Sequence, residues 1–385
     1  MKKKTGLKTR IDIIMFDLGL RKDYSHINSS NNGSPRSASG ISGVLSRSFR
    51  IATYTLLNLH NIVKNVYYLS LQAAMAASNS LRFRKNDYAR EDLRAHFEKY
   101  LDSEYFYPSN VLLKSLEGYL FSKARIESPS LEIGIEDGRI SRLHFAGQSF
   151  DYGAEFVYQY LKKNKDDGIH KGLISFDASK EFPFKDNQFK TVAAVHVFDH
   201  FGGIDKTLKE ISRVLEDGGT LYFSAHSDGL FDSYISYNAV KYIEKAIRLV
   251  APKFNLFSRT YTSFVTYKRS VHNMFSREDW VRLIEGSGLR IVEADYFLKG
   301  KHKYVWSHFN GIECSNGTCV TNALLRYNLL PGFFKNFMKK AAYSIFYDDF
   351  CREVSCYESP GPGSISASDH GVNVFIVAKK GRGNG

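Results

Sequence analysis

The chain has 385 residues, 43% hydrophobic and 24% charged, which excludes a chain disordered throughout, a collagen and a multi-span membrane protein. Its net charge of +13 is unevenly placed: residues 1–100 carry 17 Lys/Arg against 7 Asp/Glu, and the remainder 36 against 33. The basicity therefore belongs to an N-terminal arm, which can bind anionic lipid or nucleic acid or stay solvated.

Residues 25–46 hold eight Ser together with Asn, Gly and Pro, too little apolar area to offset chain entropy, so 1–47 is expected to be a basic, largely disordered arm. Lys2, Lys3 and Lys4 resemble the start of a secretory signal, but Asp12, Asp17 and Arg21 interrupt the apolar stretch after them. The charge-free stretch Asn65–Leu81 contains Asn, Gln and three Ser, a poor membrane span. Residues 48–128 read as a helical extension: Phe49, Leu56, Leu59, Ile62, Val63, Val66 and Leu69 fall near helical spacing, and Pro108-Ser109-Asn110 starts a later helix.

From Pro129 the texture changes to short apolar runs alternating with amphipathic helices. Strands are predicted at 131–135, 142–150, 172–178, 191–198, 220–226, 289–297 and 371–380, and helices at 154–164, 205–215 and 276–288. That alternation predicts an α/β fold, a largely parallel sheet covered on both faces. The core is expected over 129–297, closed by a last strand at 371–380. Residues 298–370 form an insertion between the last two strands, holding all four cysteines and expected to cap the site. Four Cys without a signal predict reduced thiols and a cytoplasmic setting, with a peripheral membrane contact open to the arm.

The chemistry concentrates in LEIGIEDGRIS, 131–141, where a strand runs into Gly134 and Gly138 at a turn that lets backbone approach a ligand. Glu132 can accept from a ligand ammonium. Asp151, read as the end of the second strand, can accept both hydroxyls of a ribose. Asp177-Ala178 ends the third strand, where a carboxylate can meet an adenine amino group, and the fourth strand emerges at His196.

These segments resemble the class I S-adenosylmethionine-dependent methyltransferases, in particular the methyltransferase type 11 branch. LEIGIEDG, Asp151, FPFKDNQFKTV, HVFDHF and EISRVLEDGGTLYFS match that family's ordered motifs, and MFSREDWVRLIEGSGLRIVEA its late helix–strand unit, over 129–297 plus 371–380. The resemblance implies a Rossmann-like seven-stranded sheet and S-adenosylmethionine bound by Glu132, Gly134, Gly138, Asp151, Asp177, Ala178 and His196. In-line methyl transfer would follow, to a small-molecule, glycan or lipid-linked acceptor; a methyltransferase-fold scaffold without catalysis is the alternative. Nucleic acid is not the expected acceptor, since residues 101–385 show no basic groove and no recognition motif. Two positions depart from the family pattern: the middle glycine of the turn is Glu136, and the usual second acid of the fourth strand is Lys190.

A hydroxyl acceptor needs a base nearby. His226, after the fifth strand, and His200, after the fourth, are the candidates. The cysteines form two C-x4-C pairs, Cys314/Cys319 and Cys351/Cys356, which could hold zinc through four thiolates, form disulfides, or remain four separate thiols.

Overall fold

The structure, a computed structural model, describes residues 63–78, 90–164, 168–269, 271–314, 322, 324–325, 329–358 and 370–381. The arm expected at 1–47 and Cys319 lie outside them. The chain divides into two compact units, Met1–Leu112 with His308–Asp348, and Leu113–Ser307 with Asp349–Gly385.

In the first unit, helices α1 (63–78) and α2 (Glu91–Glu104) carry the predicted helical texture. Leu93, Phe97, Tyr100 and Leu101 recur at helical spacing and are buried, and the Phe97 ring meets Tyr343 and Tyr347 edge-on, with centroids 5.9 and 5.4 Å away.

Helix α3 (Pro108–Phe121) enters the second unit, which is built on one sheet. Its strands are β1 (Ser130–Ile133), β2 (Phe150–Ala154), β3 (His170–Ile174), β4 (Phe189–Val195), β5 (Leu215–His226), β6 (Leu289–Phe297) and β7 (Asn373–Lys380). They lie in the order β3-β2-β1-β4-β5-β7-β6; the first five run parallel, and β7 is antiparallel to both β5 and β6. This is the seven-stranded arrangement expected. Short helices α4 (Arg139–His144) and α5 (Tyr158–Lys163) follow β1 and β2. Helix α6 (Ile204–Val214) joins β4 to β5 and buries Ile204, Leu208, Ile211 and Val214 against Leu131, Val192 and Leu221.

After β5 come α7 (Gly229–Ser233), α8 (Ile235–Ile247) and α9 (Leu256–Arg269), then α10 (Arg277–Gly286), which buries Trp280 and Ile284. The insertion between β6 and β7 contains α11 (His302–Cys314) and α12 (Gly332–Glu358). Ser276 caps α10: its Oγ accepts from the Asp279 N–H at 3.1 Å and donates to the Asp279 carboxylate at 2.7 Å. Ser276→Ala is expected to cost about 1 kcal/mol, measured as a lower urea midpoint at unchanged slope.

The second strand differs from expectation. Residues 142–150 are not a strand. Ser141, His144 and Phe145, buried at helical spacing, end α4, Gly147 turns at φ +81°, and the strand begins only at Phe150. Phe145 packs edge-on against both Phe121 and Phe150, which explains the apolar run that resembles a strand.

Candidate active site

The chain leaves β1 toward β2 on one side and reaches β4 on the other, so the sheet reverses direction of assembly at β1, the position where open α/β sheets bind ligands beyond their strand ends. A cleft of about 400 Å³ opens there, within the size range of small-molecule sites. Gly134, Glu136, Glu155, Asp177, His196 and His200 are among its lining residues, with Phe156, Tyr160 and Phe176 supplying aromatic wall.

The turn after β1 requires glycine for two reasons. Gly134 has φ +75°, and a Cβ there would stand 2.3 Å from Cγ2 of Val197, itself a cleft residue. Gly138, at φ +69°, precedes α4.

Glu155 directly follows β2 and lines the cleft. Its carboxylate accepts from the N–H groups of Glu136 at 2.9 Å and Val157 at 2.8 Å, which ties the two ligand-facing turns together. A carboxylate offers about four lone pairs, so two such bonds leave room for two more donors.

Of the expected cofactor residues, Asp151 and Glu132 do not line the cleft, whereas Asp177 and Ala178 do. Asp151 stands near the start of β2, not its end, and is absent from the cleft lining. Its carboxylate accepts from Ser130 N–H at 2.8 Å, Ser130 Oγ at 3.1 Å and Lys171 Nζ at 2.8 Å. Partial burial would raise its pKa, but the bonds from Lys171, Ser128 and Ser130 bring it down to about 2. Asp151 is therefore a brace at the strand's base, and the carboxylate that lines the cleft beyond β2 is Glu155. Glu132 is buried, accepting from Ser141 Oγ at 2.8 Å and His170 Nε2 at 2.7 Å, so it shapes the turn from behind and does not line the cleft. Asp177 does line it, but its Oδ1 also accepts from the Ser179 N–H and hydroxyl at 3.0 and 2.6 Å. Neighbouring Ala178 gives its carbonyl to the Thr207 hydroxyl at 2.9 Å.

The histidines separate. His200 is half-exposed in the cleft, with Nε2 4.0 Å from the carboxylate of Asp199. His226 does not line the cleft: its Nδ1 lies 2.7 Å from Asn373 Oδ1 and its Nε2 3.8 Å from Asp199. His196 stands between them. Its Nε2 lies 3.0 Å from the same Asn373 oxygen, its Nδ1 donates to the buried Glu117 carboxylate, and its ring centroid is 4.8 Å from that of His226. Burial opposes the charge of Asp199, yet the rings of His226, His196 and His200 hold its carboxyl below the usual range. Nothing in the motifs marks Glu117, a lone acid in the middle of an apolar helix; the buried position gives it its importance.

Lys190 lies within β4 and is partly buried. Of the four cysteine side chains, those of Cys351 and Cys356 are described, and the proposed set with Cys314 and Cys319 lies partly outside the described residues. Cys351 is buried in α12 and Cys356 is partly exposed on it. Five residues at 3.6 per turn place them about 140° apart around the helix, which does not bring both thiolates onto one ion. Among the described residues no group of three or more His, Cys, Asp or Glu could hold a metal.

Residues 131–223 match the family model described as a methyltransferase domain. No curated protein matches the chain. Solved structures resembling it include an S-adenosylmethionine-dependent methyltransferase of Thermotoga maritima, 15% identical, covering 74% of this chain and 99% of that one at a TM-score of 0.39. Phosphoethanolamine N-methyltransferase 2 of Haemonchus contortus, in complex with S-adenosyl-L-methionine, is 15% identical over 71% of this chain and 52% of its own, at 0.39. The YcgJ protein of Bacillus subtilis is 13% identical over 69% and 98%, at 0.37. These likenesses are remote, and the segment matched by the family model, 131–223, spans β1 to β5 of the sheet.

Proposed function

We propose that this chain, whose residues 131–223 form a class I S-adenosylmethionine-dependent methyltransferase domain of the type 11 branch, binds the cofactor in the cleft at β1 and methylates a small-molecule, glycan or lipid-linked acceptor. The observation that carries the reading is Glu155: a carboxylate at the end of β2, facing the cleft and fixed by two backbone N–H groups on opposite turns. When bound, the cofactor supplies an electrophilic methyl on a sulfonium. Glu155 would hold its ribose, with Asp177 and Ala178 flanking the adenine and Gly134 keeping the turn flat enough for close approach. With Glu136, Glu155 and Asp177 the cleft is acidic, suited to a ligand whose net charge is positive.

His200 is the proton acceptor best placed for a hydroxyl nucleophile, since its ring reaches the cleft and Asp199 stands beside it. His226 acts from behind as a positioning residue, sharing the Asn373 amide oxygen with His196. Alignment of the acceptor and exclusion of water then supply most of the acceleration. Saturable binding of S-adenosylmethionine in titration calorimetry tests the reading, and absence of saturation at millimolar cofactor would sink it.

Glu136 favours a second reading, a scaffold with an obstructed cleft. Solvent reaches its side chain, but the crowding walls of the cleft, with Asp137 and Glu155 beside it, raise its carboxyl above the ordinary range, while Lys114 and His200 pull the other way. For a cationic ligand the ionised form is the attractive one. Cofactor affinity is therefore expected to rise with pH as Glu136 loses its proton, and Glu136→Gln to flatten that dependence. If Glu136→Gln instead tightens binding, and labelled cofactor yields no labelled product with candidate extracts, the scaffold reading holds.

A further inference from the structure

The segment between β5 and α10 contains a helical hairpin, α8 and α9, that methyl transfer does not use. Its two helices are held to each other: the Ser236 and Tyr261 hydroxyls are 2.5 Å apart, the Glu244 carboxylate accepts from Ser258 N–H at 2.9 Å, and Arg248 Nε donates to the Phe254 carbonyl at 2.7 Å. Its outer surface is apolar where a solvated hairpin would be polar. Ile235 and Tyr242, seven residues apart on one stripe of α8, are exposed at 63% and 75%. The stripe continues into the tip, where Leu249 and Val250 are each 88% exposed, and Leu256 is exposed on the far side.

The charge beside this stripe is of one sign. Lys241, Lys245, Arg248, Lys253 and Arg259 are all exposed, and Lys241, Lys245 and Arg248 line one groove with Tyr237 and Tyr242. The acidic groups on these elements and on adjoining α7 are Glu244, buried and paired with Arg248, and Asp232, paired with Lys241. We propose that this hairpin docks on an anionic bilayer, with Leu249 and Val250 entering the acyl boundary and the lysines and arginines meeting lipid phosphates. An apolar tip edged by cations and tyrosines is the composition of an interfacial helix. Nucleic acid would use the cations but leave the tip in water. A second copy of the chain would bring like charges together.

The test uses the full chain, arm included, with vesicles of phosphatidylcholine alone or mixed with phosphatidylserine. Trp280 and Trp306, the chain's two tryptophans, are buried. A Val250→Trp substitution therefore reports the tip, and its emission should shift to the blue only with the phosphatidylserine vesicles. Leu249→Asp with Val250→Asp should weaken flotation with those vesicles at least about tenfold, and Lys245→Glu with Arg248→Glu should do the same in low salt. Vesicle binding without the blue shift would assign the membrane to the arm and overturn the proposal. So would unchanged flotation of both double variants, binding to duplex DNA that the aspartate pair leaves intact, or a dimer in sedimentation that the aspartate pair dissolves.

Discussion

Glu155→Ala is expected to weaken S-adenosylmethionine binding at least about a hundredfold, whereas Asp151→Ala leaves it within a few-fold of wild type. A hydrogen bond to a charged group contributes about 1.5–3 kcal/mol, and in the proposed site Glu155 would accept from two ribose hydroxyls while holding the N–H groups of Glu136 and Val157. Removing it loses the ligand contacts and unties the turns at once. Glu155→Gln keeps an acceptor oxygen and should fall between. Asp151→Ala should show its effect in folding instead. Holding that carboxyl near 2, against an ordinary 3.8, corresponds to about 2 kcal/mol at neutral pH. The contribution lies above the unfolded pKa and disappears as pH falls toward 2. Calorimetric titration of both variants, paired with urea unfolding, separates the roles; if Asp151→Ala loses the cofactor and Glu155→Ala keeps it, the site has been assigned to the wrong end of β2.

The move from Asp151 to Glu155 marks where sequence reasoning stops. The alternation from 129 onward is enough to predict the sheet, because strands buried on both faces must be apolar runs and their crossovers amphipathic helices. The predicted sixth strand, 289–297, coincides with β6. What composition does not resolve is register near a turn. The apolar residues of 142–150 are half of a helix and half of an aromatic contact, and reading them as a strand moves the strand's end by four residues, from Ala154 to Phe150. One signal was available: Glu155 follows Gly134 by 21 residues and Asp151 by only 17, against the spacing of about 20 that a ribose carboxylate takes after the first turn. Burial of polar groups is a harder case. Glu132 and Glu117 look alike in the sequence, an acid among apolar neighbours, and only the tertiary fold shows Ser141 and His170 closing on one and four donors on the other. His226 likewise reads as a loop base until Asn373, 147 residues later, is seen at its Nδ1.

Glu117→Ala should cost about 3–5 kcal/mol of folding stability, among the largest effects available in this chain. The carboxylate is fully buried and accepts from Lys114 Nζ at 2.7 Å, His144 Nε2 at 2.9 Å, Ser224 Oγ at 2.6 Å and His196 Nδ1. Burial opposes its charge, but His196, Lys114 and His144 together hold its pKa well below the ordinary range. Alanine strands those donors in the interior. Its stabilisation exists above the unfolded carboxylate pKa and is lost as pH falls below it. His144 adds a second acid-sensitive element at higher pH. Burial, partly offset by its bond to Glu117, lowers its pKa to about 4 from an ordinary 6.5. The unfolded chain therefore takes up a proton between about 6.5 and 4 that the folded ring refuses, and stability falls across that window by about 3 kcal/mol. His302, whose pKa the buried Glu353 carboxylate raises against desolvation, contributes with the opposite sign, its stabilisation being lost as pH rises. The measurement is therefore a difference: urea midpoints at pH 7 and pH 5 for wild type and His144→Gln, whose amide can still donate to Glu117. Wild type should lose about 2 kcal/mol more than the variant between the two pH values; equal losses would show that His144 carries a proton in the folded protein and that the charge of the buried cluster is distributed differently.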